Sequence, residues 1–355
     1  MKKSLGVLSL LLLPIFVCAP GAFSMEKQSA VGTVSGLPVT PGADNLPVPS
    51  GKAGNLVVLD WAGFKGATTY TFDDAQPSHI DHYDELHATG IHMTFFISTN
   101  VNWIPDSDKF WAQAVKDGNE MGNHTVSHPH PNLTGSCFGK PLESVDAEID
   151  ECTKHIISRF GQSDVWTMAS PFGDYGWIDP ASQRLFLNRG VGFGTVAPND
   201  DTDPYNVPCY MANGGDNAEK FNSLLDKARS DGHWLVFLFH SIRPTADNWY
   251  APVEIDEITN SIEHAKALKD MWIDTFVNVG AYWAGQKMFT EVKPVTSGKD
   301  TVWRWTLPAH FPKGKFLRVK VDGGTLTQGG TALRWDPHGY YEVSLDAGEL
   351  TLTGK

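Results

Sequence analysis

From Thr68 to Phe276 one pattern recurs: a helix-like stretch ends and a short apolar run rich in β-branched or aromatic residues follows, often with glycine between them. His79–Ala88 reads as a helix stopped by Gly90 and followed by the strand-like Ile91–Ser98; Asp108–Lys116 is stopped by Gly118. Leu142–Phe160 carries an apolar stripe at helical spacing, stops at Gly161 and gives way to the strand-like Val165–Ala169. Thr68–Phe72, Phe193–Ala197, Trp234–Phe239 and Trp272–Phe276 read as further strands, Asn217–Arg229 and Ile255–Lys269 as further helices. Glycine ends a helix by taking the left-handed conformation, and the wholly apolar runs suit strands buried on both faces. The pattern is that of βα repeats, an α/β chain whose strand ends gather on one side.

The flanks differ. Lys2 and Lys3 precede an apolar run from Leu5 to Val17, and Ala22-Phe23-Ser24 offers small residues at a cleavage site. Residues 1–24 are therefore expected to be a signal peptide cleaved after about Ser24, leaving the protein secreted or periplasmic without stable membrane insertion. Residues 25–54 are rich in Gly, Pro and Ser without periodicity and read as a linker or wrapped arm. Residues 55–289 form the repeat region. Residues 290–355 carry only short strand-like runs and turn signals such as Asp322-Gly323-Gly324, which predicts a small β-sandwich-like appendage that braces the barrel or binds carbohydrate.

A net charge of −13 removes the electrostatic footprint of a nucleic-acid binder. Cys137, Cys152 and Cys209 follow the leader, an odd number. Cys152 lies on the apolar stripe, so a buried core thiol is favoured over a bridge to Cys137, and no CxxC spacing suggests a zinc site made of cysteines.

Four segments at strand ends carry chemistry. Thr71-Phe72-Asp73-Asp74 places adjacent carboxylates after an apolar run, where packing explains them poorly. His124-Thr125-Val126-Ser127-His128 sets two imidazoles four residues apart, a spacing that on a helical turn could grip one ion. Ser170-Pro171-Phe172-Gly173 forces a tight turn that can aim backbone amides at a cleft. Leu235–Phe239 delivers His240 at the end of an apolar strand. Of the other histidines, His79, His82, His87, His155, His264, His310 and His338 stand in polar contexts and read as surface groups.

The four segments, read as TFDD, GNHTVSHPH, SPFG and LFLFH, resemble in order and spacing the polysaccharide deacetylases of carbohydrate esterase family 4, the NodB-like deacetylases, over roughly Thr68 to Tyr282. The resemblance implies a distorted (β/α) barrel of seven or eight strands. It implies one divalent metal ion, usually zinc, held by Asp74, His124 and His128. Asp73 matches the base that takes a proton from the attacking water, and His240 the acid that protonates the departing amine. The backbone N–H of Phe172 matches the oxyanion donor, with Pro171 and Phe172 as substrate contacts. The implied activity is removal of N-acetyl groups from an N-acetylglucosamine-containing glycan, with an acetylated glycan as partner. The alternatives are an O-deacetylase such as an acetylxylan esterase, and a non-catalytic carbohydrate-binding protein. Three departures stand out: Ala169 where the family commonly has the arginine that orients the base, Ala75 where it commonly has glycine, and Asp203 as the best match for a fourth motif, where it could support His240.

Overall fold

The computed structural model describes residues 35–102, 104–245 and 249–354. The expected signal peptide and residues 25–34 of the expected arm lie outside the described residues. Val57–Val58 (β1) precedes the barrel strands Gly66–Asp73 (β2), Thr94–Ile97 (β3), Glu120–Asn123 (β4), Thr167–Ala169 (β5), Leu187–Arg189 (β6), Tyr210–Met211 (β7) and Trp234–Phe239 (β8). A parallel pair, Ile242–Arg243 (β9) and Val253–Glu254 (β10), follows, and Met271–Ile273 (β11) ends the barrel. The helices are Pro77–Asp81 (α1), Tyr83–Ala88 (α2), Ile104–Lys116 (α3), Val145–His155 (α4), Ile178–Ser182 (α5), Ala218–Asp231 (α6), Ile255–Ala267 (α7) and Phe276–Glu291 (α8).

All eight residues of β2 are buried, because both of its edges and both of its faces are covered. The barrel sheet runs β6-β5-β4-β3-β2-β8-β7, and every pairing in it is parallel. Along one edge of β2, β11 pairs with Gly66–Thr68 and β3 with Thr71–Asp73, so the two strands share that edge end to end. Val207 bridges Arg189 on β6, and Tyr210–Met211 pairs with β8. One short segment thus joins both edges of the sheet and closes a distorted (β/α) barrel.

The helices carry the signals that the sequence offers. Ser144 caps α4 by accepting the Ala147 amide, Asn217 caps α6 through Lys220, and Gly161 and Gly232 end helical turns with φ of 77° and 75°. Four expectations need correction. The expected strand Phe193–Ala197 is not one: Gly194 interrupts it and Gly190 and Gly192 lead into it, the strand is Leu187–Arg189, and Val196 makes a single antiparallel bridge to Trp234. His79–Ala88 is two short helices rather than one. The long helix starts at Val145, and its last five residues, Ile156–Phe160, widen into a π turn. Finally, His79 and His82 are buried rather than surface groups. Cys152 is buried and donates to the Ile97 carbonyl, and Cys137, Cys152 and Cys209 are all free thiols.

Beyond the barrel the strands form two antiparallel sheets. In one, β1 lies beside Phe316–Lys320, which pairs with Tyr340–Ser344. The other is built on Asp300–Arg304, Glu349–Thr353 and Thr325–Gln328. Leu317 and Val343 of the first sheet and Leu326 and Leu350 of the second lie in one apolar cluster with the barrel residues Trp61, Trp272, Trp283 and Phe289. The described residues form one compact unit. No helix among the described residues is long and apolar enough to cross a membrane.

Candidate metal centre and active site

Strand β2 ends at Asp73, and the chain turns sharply: Asp74 and Ala75 both adopt positive φ, 75° and 53°. Thr125, His128 and Phe172 do so as well, at 65°, 55° and 57°. Non-glycine residues seldom occupy this region, and its cost of roughly 1–2 kcal/mol per residue persists where neighbouring contacts enforce it. Those contacts are visible. The segment from His124 to His128 is not the helical turn expected from the spacing but an irregular loop held from below. The Asn123 side chain donates to the Ile149 carbonyl and accepts the Thr125 amide. The buried Glu148 carboxylate accepts the amides of Val126, Ser127 and Leu142 and the Ser127 hydroxyl. The Thr125 hydroxyl accepts the His128 amide.

This scaffold brings the two imidazoles edge to face, with centroids 4.6 Å apart. His124 donates from Nδ1 to the Ala169 carbonyl at 2.8 Å, which leaves Nε2 as the ring's lone-pair nitrogen. That Nε2 lies 3.5 Å from Asp74 Oδ1, and His128 Nε2 lies 3.7 Å from the same oxygen. Donors bonded at about 2.1 Å to one tetrahedral ion sit about 3.4 Å from each other, so these three atoms fit a divalent ion of zinc's size. All three residues are buried. The second oxygen of Asp74 accepts the Trp249 indole N–H at 3.2 Å.

The charges suit ligation. Burial alone would raise the Asp74 carboxyl, but His124, His240 and His128 around it hold it well below the usual carboxylate range. Burial, reinforced by neighbouring His124, lowers His128 to about 4, so it is a neutral ligand at pH 7. His124 is pushed down by burial, yet Asp73 and Asp74 raise it on balance.

Asp73 is held differently. Arg189, wholly buried on β6, donates from Nη2 to Asp73 Oδ2. Arg189 and Ala169 are register partners on adjacent strands, so the cation missing from position 169 is present one strand away. Sequence reasoning missed it, although a signal existed: a charged residue stands two positions beyond the apolar run Leu185–Leu187. His240 closes the far side of the cavity at the end of β8, with Tyr250 edge-on at 4.9 Å. Burial lowers its pKa, and its Nδ1 has no hydrogen-bond partner among the described residues. Asp203 does not support it; that carboxylate accepts the Tyr205 amide in its own loop. The support comes from the misread histidines: His79 Nε2–H donates to the His240 carbonyl at 2.6 Å, and His82 to the Pro244 carbonyl at 2.8 Å.

Asp73, Asp74, His124, His128 and His240 thus open on one cavity of ≈ 450 Å³, walled by Phe172, Val191, Met211, Leu238, Trp249 and Tyr250. Phe172 is half exposed and stacks on His130 with centroids 4.1 Å apart. Pro171, expected to touch substrate, is buried beneath the turn and does not line the cavity.

Residues 65–178 match the family model described as polysaccharide deacetylase, a span that includes Asp73, Asp74, His124, His128 and Phe172 and ends before Arg189 and His240. Similar solved structures include the Xyl-CE4 domain of a multidomain xylanase from the hindgut metagenome of Trinervitermes trinervoides, at 16% identity, covering 60% of this chain and 88% of that one, with a TM-score of 0.40. A family 4 acetyl xylan esterase from Clostridium thermocellum, in complex with a cobalt ion, shares 15% identity over 60% of this chain and 89% of that one, TM-score 0.40. A CE4 family pseudoenzyme from Bacillus anthracis shares 15% over 66% and 70%, TM-score 0.41. The match to the polysaccharide deacetylase model covers residues 65–178, about a third of the chain, and the motif residues within it gather with His240 on one cavity.

Proposed function

We propose that the protein is an exported, divalent-metal-dependent hydrolase that removes N-acetyl groups from an N-acetylglucosamine-containing polysaccharide or oligosaccharide. The observation that carries this reading is the convergence of Asp74, His124 and His128 on one point, beside a second buried carboxylate and a histidine on the same cavity. A divalent ion such as zinc held by these three residues would acidify a water and polarise the acetyl carbonyl. Asp73 Oδ1 is buried without a hydrogen-bond partner among the described residues, while Arg189 occupies Oδ2, so Oδ1 is the atom placed to take the proton from the attacking water. His240 faces the same cavity and delivers a proton to the departing nitrogen. Because burial keeps it neutral at rest, it must gain that proton within the turnover. The N–H of Phe172, at the strained turn after β5, is the proposed oxyanion donor. The Phe172, Trp249 and Tyr250 rings offer apolar faces to a sugar and its acetyl methyl.

The test is acetate and free-amine release by the zinc-loaded protein from a panel of N- and O-acetylated glycans. Equal acetate and amine from an N-acetylated glycan is the expected result. Acetate without amine would reassign the substrate to an O-acetyl ester. No acetate from any glycan would leave a non-catalytic carbohydrate-binding protein.

A further inference from the structure

We infer that Arg189 is the positioning residue that decides which of two adjacent aspartates ligates the metal and which stays free as base, a step that rests on the deacetylase reading and deepens it. The two carboxylates are close to equivalent in reach. Asp74 Oδ1 lies 3.5 Å from His124 Nε2, and Asp73 Oδ2 lies 3.7 Å from the same nitrogen. An ion drawn to this nitrogen could therefore recruit either carboxylate, or both. With both, two imidazoles and two carboxylates would complete a four-coordinate set and leave no position for water or substrate. Closed sets of four are the mark of structural zinc sites, and an open position is the mark of catalytic ones.

What separates the two aspartates is their second partner. Asp74 gives its other oxygen to a neutral indole, Trp249, and keeps Oδ1 toward the histidines. Asp73 gives the oxygen nearest His124 to a full cation. That cation is itself held in place. Its Nη1 donates to the Gly190 carbonyl at 2.9 Å, and its guanidinium lies 5.3 Å from the centre of the Phe96 ring. Its strand pairs with β5 at Ala169, a residue too small to compete for the space on that face. A buried guanidinium-to-carboxylate hydrogen bond is among the strongest side-chain contacts available, and breaking it would free Asp73 Oδ2, already 3.7 Å from His124 Nε2, to join the ligand cluster.

The experiment measures zinc affinity of the full chain by chelator competition, alongside acetate release and circular dichroism. Arg189→Met is expected to fold, to bind zinc about tenfold or more tightly, and to lose about 10²-fold or more in turnover. Adding Asp73→Asn to that variant should return zinc affinity to the wild-type value, because the freed carboxylate is the added ligand. A merely structural arginine would not give this sign: its loss would weaken zinc binding and stability together. Unchanged or weaker zinc affinity in a folded Arg189→Met protein overturns the inference. Should that variant fail to fold, Asp73→Asn alone decides: zinc affinity within about twofold of wild type is expected, and a tenfold loss would make Asp73 a ligand already. A wild type that binds zinc but releases no acetate would sink the deacetylase reading and leave the zinc comparison standing.

Discussion

Asp74 Oδ1 lies 3.5 Å from His124 Nε2 and 3.7 Å from His128 Nε2, so one carboxylate oxygen faces both imidazoles. Asp74→Asn removes the negative charge that His124, His128 and His240 all stabilise, while changing the shape little. Zinc affinity should fall by at least the 10- to 100-fold typical of disturbing a ligand's outer partner, since here a ligand itself is lost. His128→Ala should do the same, and chelator competition on both folded variants reads the effect. Wild-type affinity in either would remove that residue from the ligand set. At this scale the sequence was legible where a chemical group follows a strand, as Asp73 and Asp74 do at the end of β2, His124 after β4 and His240 after β8, and where a second imidazole, His128, stands close by in the same loop. It was less legible where the role depends on a neighbour far along the chain. Arg189 drew no reading from the sequence, because only the parallel register of β5 and β6 puts it beside Asp73. His79 and His82 looked like surface groups because no local pattern reveals that the loop after β8 folds over them.

The loop from His124 to His128 shows what an element can conceal. A spacing of four suggests a helical turn, yet the structure is a strained loop made possible by Glu148, one turn into α4. Glu148 is fully buried and accepts four hydrogen bonds, three from amides and one from a hydroxyl. Glu148→Gln keeps the size but turns one acceptor into a donor facing donors. The expected outcome is about 1–3 kcal/mol of lost stability by urea unfolding and a 10- to 100-fold loss of zinc affinity, since His128 is no longer held in its strained conformation. Stability lost without any change in zinc affinity would show that the loop keeps its shape unaided. A second element test lies on the other side of β6. Gly280 of α8 packs so closely on that strand that a Cβ there would sit 2.1 Å from Leu187 Cδ1. Gly280→Ala should cost about 1–3 kcal/mol through overpacking, and the strand it pushes carries Arg189 two residues on. Turnover should therefore fall along with the urea midpoint. Element existence was readable from helical stripes and glycine stops, whereas packing distance of this kind has no local signature.

At the scale of the molecule, the Gly- and Pro-rich stretch before the barrel and the β-rich tail after it read as separate pieces, because local periodicity says nothing about partners 270 or more residues away. The structure joins them. Leu46 donates to the Pro337 carbonyl and Gly51 to the Asp322 carbonyl, and the buried Arg318 reaches the carbonyls of Pro38 and Ala62 while pairing with Glu342. Helix α8 completes the connection. Its Tyr282 hydroxyl donates to the Leu59 carbonyl and accepts the Arg318 amide, and Gly285 lets Leu345 and Leu317 of the tail approach its backbone. Deleting residues 290–355 would strip cover from Trp61, Trp272, Trp283 and Phe289 and leave β1 without its partner strand. An apolar face of several aromatic rings is larger than monomeric proteins normally expose, and the carbonyls of Leu59 and Ala62 would lose part of their arrangement with it. The truncated chain should therefore be recovered aggregated, or soluble only with a much lower urea midpoint, and its turnover of short oligosaccharides should fall because the barrel unfolds. A substitution confined to the tail surface, such as Arg304→Ala, should leave turnover of the same substrates unchanged, since exposed Arg304 pairs with half-exposed Glu349 on the tail sheet and is not among the residues lining the cavity. A truncated protein with the wild-type midpoint and normal turnover would show that the barrel stands alone and that the shared apolar cluster contributes little to it.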